Sequence, residues 1–280
     1  MRRIAAGKIE DTVAKLCIQA NLFLRGDVLR ALKLAAAGGE THAKAKRALK
    51  AVVENALVAR SKKLAICQDT GMPIVFVEMG QEVKIEGNLS AAINRGVEAG
   101  YKKSFLRSSV IKNPLLRGVP GYSPAVTHIA IVKGNKIKLT LMPKGFGCEN
   151  KSALKMFKPT AGLDEIKKFI LETVKNAGPD ACPPYVVGVG IGGTADYAAL
   201  LAKKALLRKI VVHSVQQSTV HRLERELLKE INKLNIGPMG LGGKTTCLAV
   251  HIETYPTHIA GLPVAVNISC HALRSATVTL

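Results

Sequence analysis

Cys67-Gln68-Asp69-Thr70-Gly71 stands between residues 61–66, which turn from basic to apolar, and the apolar run 72–79. That run has strand character, and Gly71 and Pro73 punctuate the turn leading into it. A thiol, an amide, a carboxylate and a hydroxyl are thereby packed into four successive positions at the mouth of a buried strand. Rigid elements that open into loops are where binding and catalytic side chains collect. A tight turn around a buried cysteine would explain the same residues, because an isolated Cys packs as a small hydrophobe. The arrangement recurs, however: Cys182 is followed by Pro183-Pro184 and then by the apolar run that starts at Tyr185.

At 280 residues the chain can form one large domain or two ordinary ones. Hydrophobic residues make up 48%, but Trp is absent and aromatics are only 4%, so the core has to be aliphatic. No apolar run reaches the roughly 18 residues of a membrane span, and Met1-Arg2-Arg3 is not followed by the segments of a signal peptide. The expectation is a soluble, cytoplasmic protein of α/β (mixed α+β) class. A mixed sheet packed by helices should fill a single domain over 1–280, with a helical part over about 1–60.

The six cysteines, Cys17, Cys67, Cys148, Cys182, Cys247 and Cys270, are spread over the whole chain. In a cytoplasmic protein of this size metal or catalytic roles outrank disulfides, and no pair has zinc-finger spacing. The formal charge is +21, from 41 Lys and Arg against 20 Asp and Glu. A solvated basic surface, nucleic-acid binding, or a field that draws in small anions or an acidic partner chain would each account for it. Basic residues such as Lys44, Lys46, Arg47 and Lys50 fall on a helical stretch without interleaved aromatics, and no nucleic-acid-binding signature is present. Nucleic acid is therefore the second reading.

Helices are expected over about 9–37, with Gly38-Gly39 as a stop, and over 41–60. Gly87-Asn88-Leu89-Ser90 leads into a helix to about 103 that ends near Arg107, which sits among Ser104, Ser108 and Ser109 and could fork a carboxylate; an Arg at a helix end is also an ordinary dipole partner. Residues 125–132 and 136–142 around Lys133-Gly134-Asn135 read as a hairpin. It delivers the chain to Gly145-Phe146-Gly147-Cys148-Glu149-Asn150-Lys151. There the glycines allow close backbone approach, Lys151 supplies a donor for an anion, and a helix should follow. A strand-to-helix turn with a surface lysine explains the same letters. Further helices are expected over 164–176, 195–208 and 220–235.

Gly188, Gly190 and Gly193 match the dinucleotide fingerprint. The acidic residue required about 20 positions on is missing where the chain reads Ile210-Val211-Val212-His213-Ser214, so the glycines are expected to let a backbone turn approach the site. The loop Gly237-Pro238-Met239-Gly240-Leu241-Gly242-Gly243-Lys244-Thr245 lacks phosphate-loop spacing. Near the end, His258 in a loop, a strand, and Cys270 beside His271 and Arg274 make a third polar cluster.

Taken together, Cys67-Gln68-Asp69-Thr70-Gly71, Gly147-Cys148-Glu149-Asn150-Lys151, Ala181-Cys182-Pro183-Pro184-Tyr185 with Ile191-Gly192-Gly193-Thr194, Gly237–Gly243 and Asn267-Ile268-Ser269-Cys270 resemble the iron–sulfur (class I) fumarate hydratases and L(+)-tartrate dehydratases. The likeness is to the alpha subunit of the two-subunit type. The resemblance implies a 4Fe–4S cluster held by Cys67, Cys182 and Cys270, with one iron left open as a Lewis acid. It implies that Gln68, Asp69, Arg107, Gly147 and His258 hold the dicarboxylate or its leaving hydroxyl, with Asp69 and His258 managing the proton and Lys151 in an electrostatic role. It further implies a beta subunit that supplies the base for the C3 proton, in an alpha2beta2-type hetero-oligomer. Fumarate/malate is the first substrate, and tartrate or another C4 dicarboxylate the alternative. The family's run of Asn and Thr before the hairpin is replaced here by Gly118-Val119-Pro120-Gly121-Tyr122-Ser123-Pro124.

Overall fold

The computed structural model describes residues 1–211 and 218–280. In chain order the elements are β1 (Arg2–Ala5), α1 (Ala6–Leu22), α2 (Gly26–Leu34) running into a π-turn (Ala35–Gly39), α3 (Ala43–Lys62), β2 (Met72–Gly80), β3 (Val83–Glu86) and α4 (Leu89–Lys103). Then follow β4 (Val126–Val132), β5 (Ile137–Lys144), the short α5 (Phe146–Glu149), β6 (Ala153–Phe157), α6 (Leu163–Ala177) and β7 (Tyr185–Gly193). The remainder comprises α7 (Ala195–Ala205), α8 (Thr219–Lys233), a 3-10 turn (Pro238–Gly240), β8 (Cys247–Thr257), β9 (Leu262–Ser269) and β10 (Ala276–Thr279). The class is mixed α/β, as the sequence led one to expect. No helix among the described residues is long and apolar enough to cross a membrane.

The chain forms two compact units. The first comprises Met1–Arg25, Ala56–Phe146 and Arg274–Leu280; the second comprises Gly26–Asn55 and Gly147–Leu273.

In the first unit a four-stranded mixed sheet runs β10-β5-β2-β4, and β1 pairs in parallel with β3. Its core is aliphatic, as the composition requires: Ile9, Val13 and Leu16 of α1 meet Val75 and Val77 of β2, Ile93 and Val97 of α4, and Leu139 and Leu141 of β5. Asn88 caps α4 by accepting a hydrogen bond from the Ala91 N–H at 2.9 Å.

Two local expectations are corrected here. The helical stretch 9–37 is interrupted after Leu22, where the Phe23 backbone turns extended. The 125–142 hairpin does not form, because β4 and β5 do not pair with each other. β2 lies between them, parallel to β4 and antiparallel to β5. The connecting residues Lys133-Gly134-Asn135-Lys136 cross the end of β2 instead, and Gly80, Gln81 and Glu82 donate to the carbonyls of Lys136, Val132 and Gly134. The turn letters are those of a hairpin; the partner of each strand is set by contacts distant in sequence.

In the second unit the order is β6-β9-β7-β8, with β7 parallel to β8 and antiparallel to β9. Ile166, Ile170 and Val174 of α6 and Leu223, Leu227 and Ile231 of α8 pack on Val187 and Val189 of β7. Where a helix is expected after Gly145–Lys151 the chain forms a strand, β6; the helical turn α5 lies within that stretch instead.

Gly188 and Gly190 do not approach a site. A Cβ at Gly188 would lie 2.2 Å from the Ala202 carbonyl oxygen, and one at Gly190 would lie 2.0 Å from that of Ala198. Any side chain there would push α7 off the sheet, so these glycines serve helix–strand packing. Of the stretch 210–214, residues 212–214 lie outside the described residues.

The glycine-rich loop is likewise occupied from within. Gly243 N–H donates to Asn235 Oδ1 at 2.9 Å and Thr245 N–H to Glu40 Oε2 at 3.0 Å, so these amides do not cradle a phosphate. Glu40 is buried and also accepts from the Thr41 and His42 amides, both at 2.9 Å. Burial alone would push its pKa up, but the amides of His42, Thr245 and Thr41 outweigh it and hold the carboxyl below its usual value. A group depressed in the folded state adds stability above its unfolded pKa and loses it as pH falls through the folded one. Glu40→Gln is therefore expected to cost about 1–3 kcal/mol near neutral pH, with the gap to wild type closing on acidification below the ordinary glutamate range. Urea denaturation of both proteins across that range measures it.

Candidate active site

The Cys67–Gly71 turn lies at the entrance to β2 in the first unit. Gly71 has φ +76°, and a Cβ there would meet the Lys144 backbone nitrogen at 2.7 Å, so β5 closes tightly over the turn. Asp69 is half-buried. Its Oδ1 accepts from the Gly71 N–H at 3.0 Å and its Oδ2 from the Phe146 N–H at 2.8 Å. Both carboxylate oxygens are thus aimed by main-chain donors, which fixes the direction of the group. Cys67 is half-buried beside it, and Gln68 is exposed. Arg107 belongs to the same region: its carbonyl accepts from Thr70 Oγ1 at 3.0 Å, and its side chain is exposed. The departure at 118–124 is built of ordinary contacts, with Ser123 Oγ donating to Glu98 at 2.6 Å and Tyr122 edge-on to Tyr101.

In the second unit Cys182 has φ +55° and directly precedes Pro183. Its carbonyl accepts from both the His271 N–H at 3.3 Å and His271 Nδ1 at 3.1 Å. Tyr185 pairs with Cys247 and Val186 with Ser269, so Cys182 and Cys270 collect at one end of the sheet. Lys151 is paired with Asp180 at 3.0 Å, and Gly147 lies exposed in α5.

His258 does not join them. Gly193 pairs with Thr257, so His258 lies beyond the opposite end of the sheet. The intervening strand β9 is roughly 25 Å long at about 3.3 Å per residue. The polar cluster expected of His258 with Cys270 is therefore not formed within this unit. His258 is exposed, and its Nδ1 accepts from the Ala260 N–H at 3.2 Å.

The six cysteines divide by burial. Cys17, Cys148 and Cys247 are buried, whereas Cys67, Cys182 and Cys270 are half-exposed, and none is in a disulfide. Burial pushes the Cys17 thiol far up and that of Cys247 to about 12, so both stay protonated. Cys148 Sγ donates to the Ala181 carbonyl at 3.3 Å. The three half-exposed thiols are the three that the sequence resemblance implies as cluster ligands, whereas Cys148, also in a quoted motif, is buried. Among the described residues no three His, Cys, Asp or Glu side chains are gathered closely enough to hold a single metal ion. A multi-iron cluster spaces its thiolates more widely than one ion does, and thiols are the donors it takes; in kind, the donor set fits.

Sequence reasoning missed Tyr101, and it set Arg274 with Cys270 and His271 rather than behind the Cys67 turn. Tyr101, 1% exposed, donates its hydroxyl to the carbonyls of Thr70 at 2.9 Å and Gly71 at 3.2 Å. Arg274, 3% exposed, donates from Nη2 to the Asp69 carbonyl at 2.8 Å.

A family model described as Fumarate hydratase (Fumerase) matches residues 10–279. A Methanocaldococcus jannaschii protein, provisionally named L(+)-tartrate dehydratase subunit alpha, is 43% identical over 277 residues, covering 96% of each chain. The L(+)-tartrate dehydratase subunit alpha of Escherichia coli K12 is 30% identical over 277 residues, covering 98% of this chain and 91% of that one. The Shigella sonnei protein of the same name gives the same figures, 30% over 277 residues.

Proposed function

Because the chain belongs to the fumarate hydratase (Fumerase) family, and is thereby a hydro-lyase, we propose that it is the alpha subunit of a C4-dicarboxylate dehydratase acting on L(+)-tartrate. The names of the relatives favour tartrate over fumarate, which the sequence alone put first. The observation that carries the chemistry is the Cys67–Gly71 turn, where a half-exposed thiol stands two residues from a carboxylate aimed by two amides.

Cys67, Cys182 and Cys270 would hold the 4Fe–4S cluster. Three thiolates leave one iron open, and when bound that iron supplies a Lewis acid for a leaving hydroxyl. Asp69 accepts the proton of the substrate hydroxyl, or returns one to it, at the carboxylate that the Gly71 and Phe146 amides orient. Arg107 holds a substrate carboxylate with its forked donors. Gln68 and the Gly147 amide add neutral hydrogen bonds, and Lys151, its charge partly met by Asp180, contributes a positive field. No step is assigned to His258, which the fold of its own unit keeps at the far end of the sheet. A beta subunit would supply the base that takes the proton from the neighbouring carbon. Loss of water from tartrate then leaves an enol that becomes the 2-oxo diacid.

Anaerobic co-purification with the beta subunit, followed by steady-state kinetics, tests this. The complex is expected to prefer L(+)-tartrate over (S)-malate by on the order of 100-fold in kcat/KM, with the alpha chain alone inactive. A preference for malate or fumarate restores that substrate. A cluster-free complex that turns over neither, but binds nucleic acid with a steep salt dependence, puts the basic surface to a different use.

A further inference from the structure

Resting on that reading, we propose that Arg274, acting with Tyr101, is a positioning residue of the reaction: the two lock the main chain of the Cys67–Gly71 turn from beneath and so set the direction of the Asp69 carboxylate. Arg274 is 3% exposed, yet no carboxylate among the described residues pairs with it. Its Nη2 donates to the Asp69 carbonyl at 2.8 Å, its Nη1 donates to Asn21 Oδ1 at 3.1 Å, and its buried Nε has no partner. A buried cation normally has a counter-ion, because desolvation is otherwise uncompensated. Here the guanidinium is spent on neutral carbonyl oxygens, one of them the main chain of a proposed catalytic residue.

The support is continuous. Asn21, fully buried, accepts from the Ile66 N–H at 3.0 Å with its carbonyl and donates Nδ2 to the Cys17 carbonyl at 3.0 Å. Tyr101 takes the next two carbonyls, Thr70 and Gly71. Four of the six residues from Ile66 to Gly71 thus have a main-chain group held from within by Asn21, Arg274 or Tyr101. With its backbone pinned, Asp69 can reach both the Gly71 and the Phe146 amides; a loosened turn would let the carboxylate swing toward water. A misplacement of about 1 Å in such a group can cost on the order of 100-fold in rate.

The test uses Arg274→Lys, which keeps the charge but loses the fork, and Tyr101→Phe, which keeps the ring but loses the hydroxyl. Both retain most of the buried volume. In the full chain with its beta subunit, peptides carrying the Gly71 and Phe146 amides are expected to exchange hydrogen about 10-fold faster in each variant, while peptides from β5 do not change. kcat should fall by about 10- to 100-fold with KM within about 3-fold and iron content at the wild-type level. Unchanged exchange at both peptides overturns the proposal. So does faster exchange with wild-type kcat, which would make the pair merely structural. A wild-type complex that turns over no dicarboxylate removes the functional reading and the proposal with it; an active wild type with unaltered exchange removes the proposal alone.

Discussion

Replacing Cys67, Cys182 or Cys270 by serine, one at a time, is expected to abolish dehydratase activity by about 1,000-fold or more and to lower bound iron after anaerobic reconstitution. The same change at Cys17 or Cys247 should leave iron content alone. The division follows from where each sulfur sits. A thiol binds iron as thiolate, and Cys17 and Cys247 are held protonated by burial. Cys148 is buried with its sulfur directed at the Ala181 carbonyl. Only the other three are reachable, and each stands in a turn at a strand end. Iron and sulfide analysis with the visible absorption of the cluster reads the result independently of activity. Full iron content in the Cys182→Ser protein would remove Cys182 from the ligand set, whatever its kinetics.

Much of this was legible in the sequence because it is local. The strand after Cys67, the strand after Cys182, the helix that ends near 103 and the helix at 164–176 follow from apolar spacing and turn residues, and they appear within a few residues of expectation. The order of strands was not legible. Residues 125–142 carry hairpin letters, but β2, fifty residues earlier, inserts between the two strands, and no local pattern encodes that pairing.

The glycines of 188–193 illustrate the same limit. Their spacing suggests close approach, but whether to a ligand, a turn or a helix depends on what packs there, and at Gly188 and Gly190 it is α7. The separation of His258 from Cys270 could have been inferred from sequence alone. The apolar run between them reads as a strand, and a strand that long holds its two ends far apart. Arg274 reads in the sequence only as a neighbour of Cys270 and His271, and Tyr101 carries no signal, since what both do depends on main-chain carbonyls brought to them by folding.

Asp69→Asn is expected to reduce kcat by about 10²- to 10⁴-fold, the range that a positioned proton-transfer group contributes, and to destabilise the first unit by about 1–3 kcal/mol. The two effects have one origin. Asp69 offers an acceptor oxygen to each of two main-chain donors, at 3.0 Å from Gly71 and 2.8 Å from Phe146. An amide has only one such oxygen, so its NH₂ must face an N–H, and one donor loses its partner whichever way the side chain is turned. The variant therefore loses the group that carries the hydroxyl's proton and also part of the turn that presents it. Asp69→Glu separates the two: it restores the charge but displaces it by one methylene, so stability should recover more than kcat does. Thermal melts alongside kcat and KM on tartrate decide the matter. An Asp69→Asn enzyme with kcat within about 3-fold of wild type would show that the proton is handled by another residue, leaving the carboxylate as an architectural element of the turn.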